Sequence, residues 1–352
     1  MRETFMAVRK TGPQPGAELV EMALPESLGP QEVLIKVDLA AICASDVHVY
    51  DWASNIAASP FPLPVTMGHE FTGTVLRTGE GVKTLVEGDR VSGETHLPCG
   101  ECYQCQTGEQ HRCQNLRLLG RHINGCMADY AVLPEICARR IPSDIPLEQA
   151  ALMEPLGVAV HAVDKGGVSG ETVVILGCGA IGLMAIGVAK VFGALRIYAT
   201  SHSPAKLERA LQMGAYRALK VGSDDVVGEI LAETDQEGVG VVIEMSGNPE
   251  AIVQGFQILR KGGTYVGVGI PTGPVELELV SSVIYREAIY TGIHGRRMWD
   301  TWIKAERLLS WGLIDLSPII GKRFSLKEFE AGFAEAKSST PGRVLLGLEP
   351  GE

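Results

Sequence analysis

The stretch TVVILGCGAIGLMAIGVA, residues 172–189, runs for eighteen residues without a charge. That length is enough to raise a membrane-spanning helix. The order of residue types within it argues for something else. A β-branched run, Thr172–Leu176, comes first, and Gly177, Gly179 and Gly182 follow it together. Glycines clustered there turn a buried strand into a helix, read over AIGLMAIGVAKVF. The three glycines stand in G-x-G-x-x-G register, which permits a tight turn and close backbone approach to a ligand. The helix N-terminus would then face a pyrophosphate, so the segment reads as a dinucleotide-binding turn.

Strands and helices alternate on its downstream side. RIYAT (196–200) precedes PAKLERALQM (204–213), and GVVIEMSG (240–247) precedes EAIVQGFQIL (250–259) and GTYVGVG (263–269). Ser203 before Pro204 supplies a helix start, with an N-cap oxygen and a proline in the first turn. Repeated β-α-β units imply a parallel sheet with helices on both faces. An NAD site places Asp or Glu about twenty residues past the glycines, to hold the ribose 2′-hydroxyl. Here the matching stretch is Thr200, Ser201, His202 and Ser203, with no carboxylate until Glu208 and with Lys206 and Arg209 nearby. A hydroxyl-rich turn beside cations tolerates a 2′-phosphate, which tips the reading from NAD toward NADP.

The first half has another texture. EVLIKVDLAAIC (32–43), FTGTVLRTG (71–79) and DRVSG (89–93) read as short strands punctuated by turns. After about residue 298 come helical WDTWIKAERLLSWG and LKEFEAGFAEAKSS, then strand-like GRVLLGLE; this tail is expected to complete the first domain.

The chain has 352 residues, which suggests two domains with substantial cores. Its net charge of −11 argues against a nucleic-acid or anionic-membrane partner. The N-terminal MRETFMAVRKTG lacks the apolar core of a signal peptide. Of eight cysteines, half sit in one cluster, a pattern of metal binding in a reducing compartment; cytoplasm is the default.

That cluster lies in SGETHLPCGECYQCQTGEQHRCQN (92–115). Cys99, Cys102, Cys105 and Cys113 follow C-x2-C-x2-C-x7-C, and four thiolates at such spacing wrap one tetrahedral zinc. The ion would replace a hydrophobic core that the segment lacks, and a full sulfur shell makes it structural. A ferredoxin-type iron–sulfur run would have three residues before its fourth cysteine and proline after it; here there are seven, followed by Gln114. His96 and His111 read as bystanders.

A second metal site is read from ICASDVHVYDW (42–52) and GHE (68–70). Cys43 and His69 supply sulfur and nitrogen for an open zinc, with Glu70 or Glu154 competing as the carboxylate. An open zinc lowers the pKa of a bound hydroxyl. Ser45 and His48, two and five residues after Cys43, are placed to carry the proton to solvent.

Taken together, these residues resemble the zinc-dependent medium-chain dehydrogenases over nearly the whole chain. CASDVHVYDW, GHEFTG, GDRVSGETHLPCGECYQC, EMSGNPEA, GIHGRRMWDTW and GLIDLSPIIGKRFSLKEFEAGF are most similar to the L-threonine 3-dehydrogenase branch. The resemblance implies an α/β protein with two domains. One is a GroES-like, β-rich catalytic domain over 1–156, completed by 298–352 and carrying a zinc lobe at 94–115. The other is a Rossmann doubly wound domain over 157–297. It also implies a cytoplasmic homotetramer acting on a small amino-alcohol or polyol. Carried over by position, Cys43, His69 and Glu70 become the catalytic zinc shell, and Ser45 and His48 the proton relay. Glu154 becomes an acid that tunes the relay or joins the shell. Ile181, Val268, Gly269, Ile270, Ile293 and His294 become cofactor contacts, and Ser201 and Lys206 stand at the ribose and adenine positions. The expected reaction is oxidation of L-threonine to L-2-amino-3-oxobutanoate, with a polyol or diol dehydrogenase as the alternative and a non-catalytic nucleotide-binding protein as a third reading. Leu156 and Val158 stand where the threonine branch has phenylalanine and asparagine, which suits the polyol reading better.

Overall fold

The uncharged run divides as its residue types dictate: Thr172–Leu176 is a strand and Ala180–Val191 a helix, with the glycine turn between them. The structure is a computed structural model describing residues 3–59, 61–338 and 342–347. Among these, no helix is long and apolar enough to cross a membrane. The ends of two expected elements, at Ser339 and at Leu348–Glu349, lie outside the described residues.

The chain separates into two compact units, Met1–Glu154 with Ile320–Glu352, and Pro155–Ile319. In the first, the main sheet runs Ala138–Arg140, Arg90–Gly93, Glu70–Thr78, Glu32–Ala41, Arg343–Gly347, Ile320–Ser325, with Tyr130–Pro134 also paired to Glu32–Ala41. Val33, Ile35, Phe71, Val75 and Val91 share one core with Phe329, Phe333, Val344 and Leu346 from the tail. Each such side chain removed from water contributes about 1.5–3 kcal/mol, which ties the tail strand into this unit.

The second unit holds a six-stranded parallel sheet in the order Arg217–Lys220, Arg196–Ser201, Thr172–Leu176, Val239–Glu244, Leu259–Gly267, Ile289–Gly292. Counted within the unit this is 3-2-1-4-5-6, the doubly wound order whose ligands sit at the carboxyl ends of the strands. Val239–Glu244 is buried at every position, because helices cover both faces of a parallel sheet.

Two expectations need correction. Residues 298–319 group with the second unit, not with the tail. Ile314 lies against Gly187 of the helix Ala180–Val191, and Lys304 on the helix Asp300–Ser310 pairs with Asp164. The helix Pro204–Met213 does begin with proline behind Ser203, yet the Ser203 side chain makes no cap bond. Instead the Ser203 amide donates to Ser201 Oγ at 3.2 Å, which turns the chain out of its strand.

Candidate active site

The four-cysteine lobe is built almost entirely from its own backbone. Cys99, Cys102, Cys105 and Cys113 bring their sulfurs within 4.8 Å of one another. Cys102 and Cys105 stand 3.5 Å apart, and Cys102 and Cys113 3.8 Å. Cys102 opens the one-turn helix Tyr103–Gln106, and amides of Cys99 and Asn115 donate to Cys113 Sγ at 3.2 and 3.3 Å. Backbone N–H groups of Gln114 and Cys105 bring the Cys102 thiol down to about 6, whereas burial pushes Cys105 up to about 12. Four sulfurs converging on one point, ringed by amide donors, fit a thiolate-bound zinc with no open position. His96 and His111 stay outside it: each faces a carboxylate, Glu94 at 2.9 Å and Glu109 at 3.6 Å.

The second cluster is drawn from distant segments. Cys43 caps the helix Ala44–Tyr50, and its amide donates to Asp46 Oδ2 at 2.9 Å. His69 and Glu70 come from the start of the strand Glu70–Thr78 and the residue before it. Ligand atoms of Cys43, His69 and Glu70 lie within 4.8 Å of one another. Asp46 Oδ1 stands 3.4 Å from His69 Nδ1, which orients the ring and leaves Nε2 for a metal. Arg343 Nη2 donates to Glu70 Oε1 at 2.7 Å, while the buried Glu70 Oε2 has no hydrogen-bond partner among the described residues.

A buried carboxylate oxygen left unmatched costs about 1–3 kcal/mol or more, so this site asks for a cation. Burial opposes ionisation of Cys43, yet Arg343 and His69 outweigh it and bring the thiol down to about 6. Burial likewise opposes a charged His69, but Asp46 and Cys43 raise it well above the ordinary imidazole value. Burial lifts Glu70 well above the usual carboxylate range against the pull of Arg343. Sulfur, imidazole and a spare carboxylate oxygen make a donor set that fits an open zinc site.

Glu154, the rival carboxylate, accepts from Thr95 Oγ1 at 2.7 Å and does not join the three-ligand cluster, though it lies within electrostatic reach of Glu70 and Arg343. Ser45 and His48 are both exposed, three residues apart on the helix Ala44–Tyr50, so they share a face while Asp46 and Val49 turn inward. Sequence reasoning missed Asp46, Thr95 and Arg343. Asp46 stands three residues past Cys43, which the structure shows as the N-cap of that helix; Arg343 carried no local signal at all.

In the second unit, a groove of roughly 440 Å3 lies at the carboxyl ends of the strands, with Gly177, Gly179, Ser201, His202 and Lys206 among its lining residues. Each glycine of the turn has its own reason. Gly177 has φ 103°, and a Cβ there would meet Ser246 at 2.9 Å. At Gly182 a Cβ would meet the Gly177 carbonyl at 2.0 Å, so the helix could not close on the turn. At Gly179 a Cβ would meet nothing within 4 Å: its space opens outward, as a cradle for phosphate requires.

Ile181 occupies the first turn of the helix Ala180–Val191. Val268 and Gly269 donate their amides to the Glu244 carbonyl at 2.9 and 3.0 Å, and Ile270 is 84% exposed. Ile293 donates to the Gly267 carbonyl at 3.0 Å, with exposed His294 next. These positions follow strands of the sheet at the same carboxyl ends. Glu244 was missed by sequence reasoning. Its buried carboxylate accepts from the Ser246 amide at 2.7 Å and the Gly247 amide at 2.9 Å, shaping the turn opposite the glycines.

Comparison with known proteins agrees with this geometry. The alcohol dehydrogenase GroES-like domain family matches residues 29–143, and the zinc-binding dehydrogenase family matches residues 180–311. The chain is 42% identical over 341 residues to an L-threonine 3-dehydrogenase of Caldanaerobacter subterraneus subsp. tengcongensis, covering 97% of this chain and 98% of that one. A zinc-binding dehydrogenase of Sinorhizobium meliloti 1021, solved bound to NADP, superposes with a TM-score of 0.91 at 31% identity, over 99% of this chain and 100% of that one. The 2R,3R-butanediol dehydrogenase of Bacillus subtilis gives 0.88 at 31% identity, over 98% and 100%. With two-domain matches, near-complete coverage and both cysteine-bearing clusters in place, the chain belongs to the zinc-dependent medium-chain alcohol dehydrogenases, enzymes linked to NAD or NADP.

Proposed function

We propose that this enzyme oxidises the secondary alcohol of L-threonine to L-2-amino-3-oxobutanoate, with NADP as the preferred acceptor. The observation that carries the reaction type is the convergence of Cys43, His69 and Glu70 around a carboxylate oxygen with no hydrogen-bond partner among the described residues. These three residues would hold zinc, whose Lewis acidity eases loss of a proton from the substrate hydroxyl, while the nicotinamide supplies the hydride acceptor.

The chain's own groups do the rest. Asp46 fixes the His69 ring and the Cys43 backbone together, so the two ligands keep one spacing. Arg343 holds one oxygen of Glu70 by its hydrogen bond and leaves the other for the metal. Ser45 and His48 take the hydroxyl proton in turn and pass it to solvent from their exposed helix face. The four-cysteine site would hold a second, structural zinc.

The substrate reading rests on the likeness to threonine dehydrogenases, and the cofactor reading on the groove. No carboxylate follows the second strand before Glu208, Ser201, His202 and Lys206 are among the lining residues, and a relative at 31% identity was solved bound to NADP. A diol or polyol is the second reading, favoured by the likeness to butanediol dehydrogenase and by Val158 and Leu156. Assembly as a cytoplasmic homotetramer belongs to the proposal too.

Initial rates with L-threonine and with 2,3-butanediol, each with NAD and with NADP, decide among these. A threonine enzyme loses activity when the amino or carboxylate group is removed. Equal or faster turnover of the diol would overturn the substrate, and a preference for NAD would overturn the cofactor.

A further inference from the structure

The helix Met153–Gly166 carries Gly157 and His161 one turn apart, on one face. Both meet the segment that follows the edge strand Ile289–Gly292. His161, 2% exposed, places Nδ1 2.9 Å from the Gly295 carbonyl oxygen. A carbonyl can only accept, so Nδ1 carries the hydrogen and donates it. Gly295 sits at φ 56°, a left-handed conformation that points this carbonyl back at the helix. At Gly157 the missing side chain makes room for Arg296: a Cβ there would lie 2.9 Å from Arg296 Cδ and 3.4 Å from its Cβ. Arg296 itself is 1% exposed and lies over the Trp302 ring at 5.9 Å. The preceding end is fixed by the Ile293 amide on the Gly267 carbonyl. His294 is therefore exposed on a segment pinned on both sides.

We propose that His161 and Gly157 form a dock that holds the Ile293–Arg296 segment in its cofactor-binding shape, with His161 as a positioning residue for the nicotinamide cofactor. The inference rests on the dehydrogenase reading, in which Ile293 and His294 contact that cofactor. Burial keeps His161 below the ordinary imidazole value against the pull of the Gly295 carbonyl; Lys165 and Arg297 act in the same sense as burial, and Asp164 against it. A neutral ring with its hydrogen on Nδ1 is the form the dock needs.

The test uses the zinc-loaded enzyme and measures binding of NADH and NADPH by nicotinamide fluorescence, together with KM and kcat. His161→Leu is expected to raise Kd and the cofactor KM about tenfold, the worth of one hydrogen bond and the order it keeps, with kcat at saturating cofactor within about twofold. His161→Asn, whose amide nitrogen stands near the place of Nδ1, is expected to restore most of the affinity. Should His161→Leu not fold, Gly157→Ala decides, because it displaces Arg296 while keeping the hydrogen-bond donor. Unchanged cofactor affinity in a folded His161→Leu or Gly157→Ala enzyme overturns the dock, as does failure of His161→Asn to recover it. A wild-type protein that binds neither dinucleotide would overturn the dehydrogenase reading itself, and is told apart by needing no variant.

Discussion

The two cysteine-bearing clusters of this enzyme are opposites in construction. The proposed structural site gathers four like side chains from Cys99–Cys113, with amides of the same loop donating to the Cys113 sulfur. The proposed reactive site gathers unlike donors from Cys43, His69 and Glu70, with Arg343, 273 residues beyond Glu70, bonded to the carboxylate. Local spacing gathers four like sulfurs; assembly from distant segments gathers unlike donors, one oxygen of which has no hydrogen-bond partner among the described residues. Closure suits holding a loop together. Asymmetry suits chemistry, because it leaves a place for a substrate.

The sharpest way to break this comparison is to remove one ligand from each side. Cys43→Ser is expected to abolish turnover by on the order of 10^3-fold or more, the loss of several kcal/mol of transition-state stabilisation. The fold should survive, and zinc content, measured by atomic emission, should fall from two per chain to one. Cys102→Ser should also remove one zinc, but its main effect should be on stability, lowering Tm by about 10 °C because metal binding substitutes for a core in that lobe. If Cys102→Ser left Tm unchanged while Cys43→Ser lowered it, the roles assigned to the two sites would be reversed.

His48→Ala comes next. Turnover should drop by about 10^2-fold with two zincs retained, and its pH profile should change shape. An unchanged rate across the pH range removes His48 from the relay. Asp46→Asn should weaken zinc at the reactive site alone, by roughly 10- to 100-fold, since it loosens the orientation of His69 without touching the four-cysteine lobe.

The smallest effect concerns the metal-free enzyme. Arg343 and His69 hold the Cys43 thiol at about 6, down from 9.0. A depressed acid contributes stability that is present above its unfolded pKa and is lost as pH falls through its folded one. His69 is raised, so its contribution is present at low pH and is lost as pH rises through its folded value. The thiolate–imidazolium pair therefore supports the chelated protein from about pH 6 upward until His69 deprotonates. Iodoacetamide labelling of Cys43 in chelated protein should persist down to about pH 6, and Arg343→Gln should move that midpoint upward. A midpoint unmoved by the substitution would exclude Arg343 as the cause.

Much of this was legible in the residues. The cysteine spacing, the glycine register and the alternation of strands and helices each refer to neighbours a few residues apart. Their geometry follows from backbone dimensions, and the parallel sheet, the glycine turn and the four-cysteine cluster appear where those patterns put them. The boundary at residue 298 was misplaced because helical periodicity in WDTWIKAERLLSWG marks an apolar face without naming its partner. Ser203 shows the same limit on a smaller scale: its type and place announce a cap, but Ser201 Oγ takes the Ser203 amide and the cap oxygen goes unused.

By itself the sequence determined a loop that gathers four cysteines and a glycine turn between strand and helix, since each is a local arrangement of side chains or of φ angles. Only the tertiary structure decided that Glu70 is held by Arg343 while Glu154 is held by Thr95. The reason is strand pairing. Leu345 lies opposite Ala41 in an antiparallel register, so the strand entering at Arg343 passes Ile42 and delivers a guanidinium beside Cys43 and Glu70. No spacing along the chain encodes a neighbour that the sheet alone brings into contact.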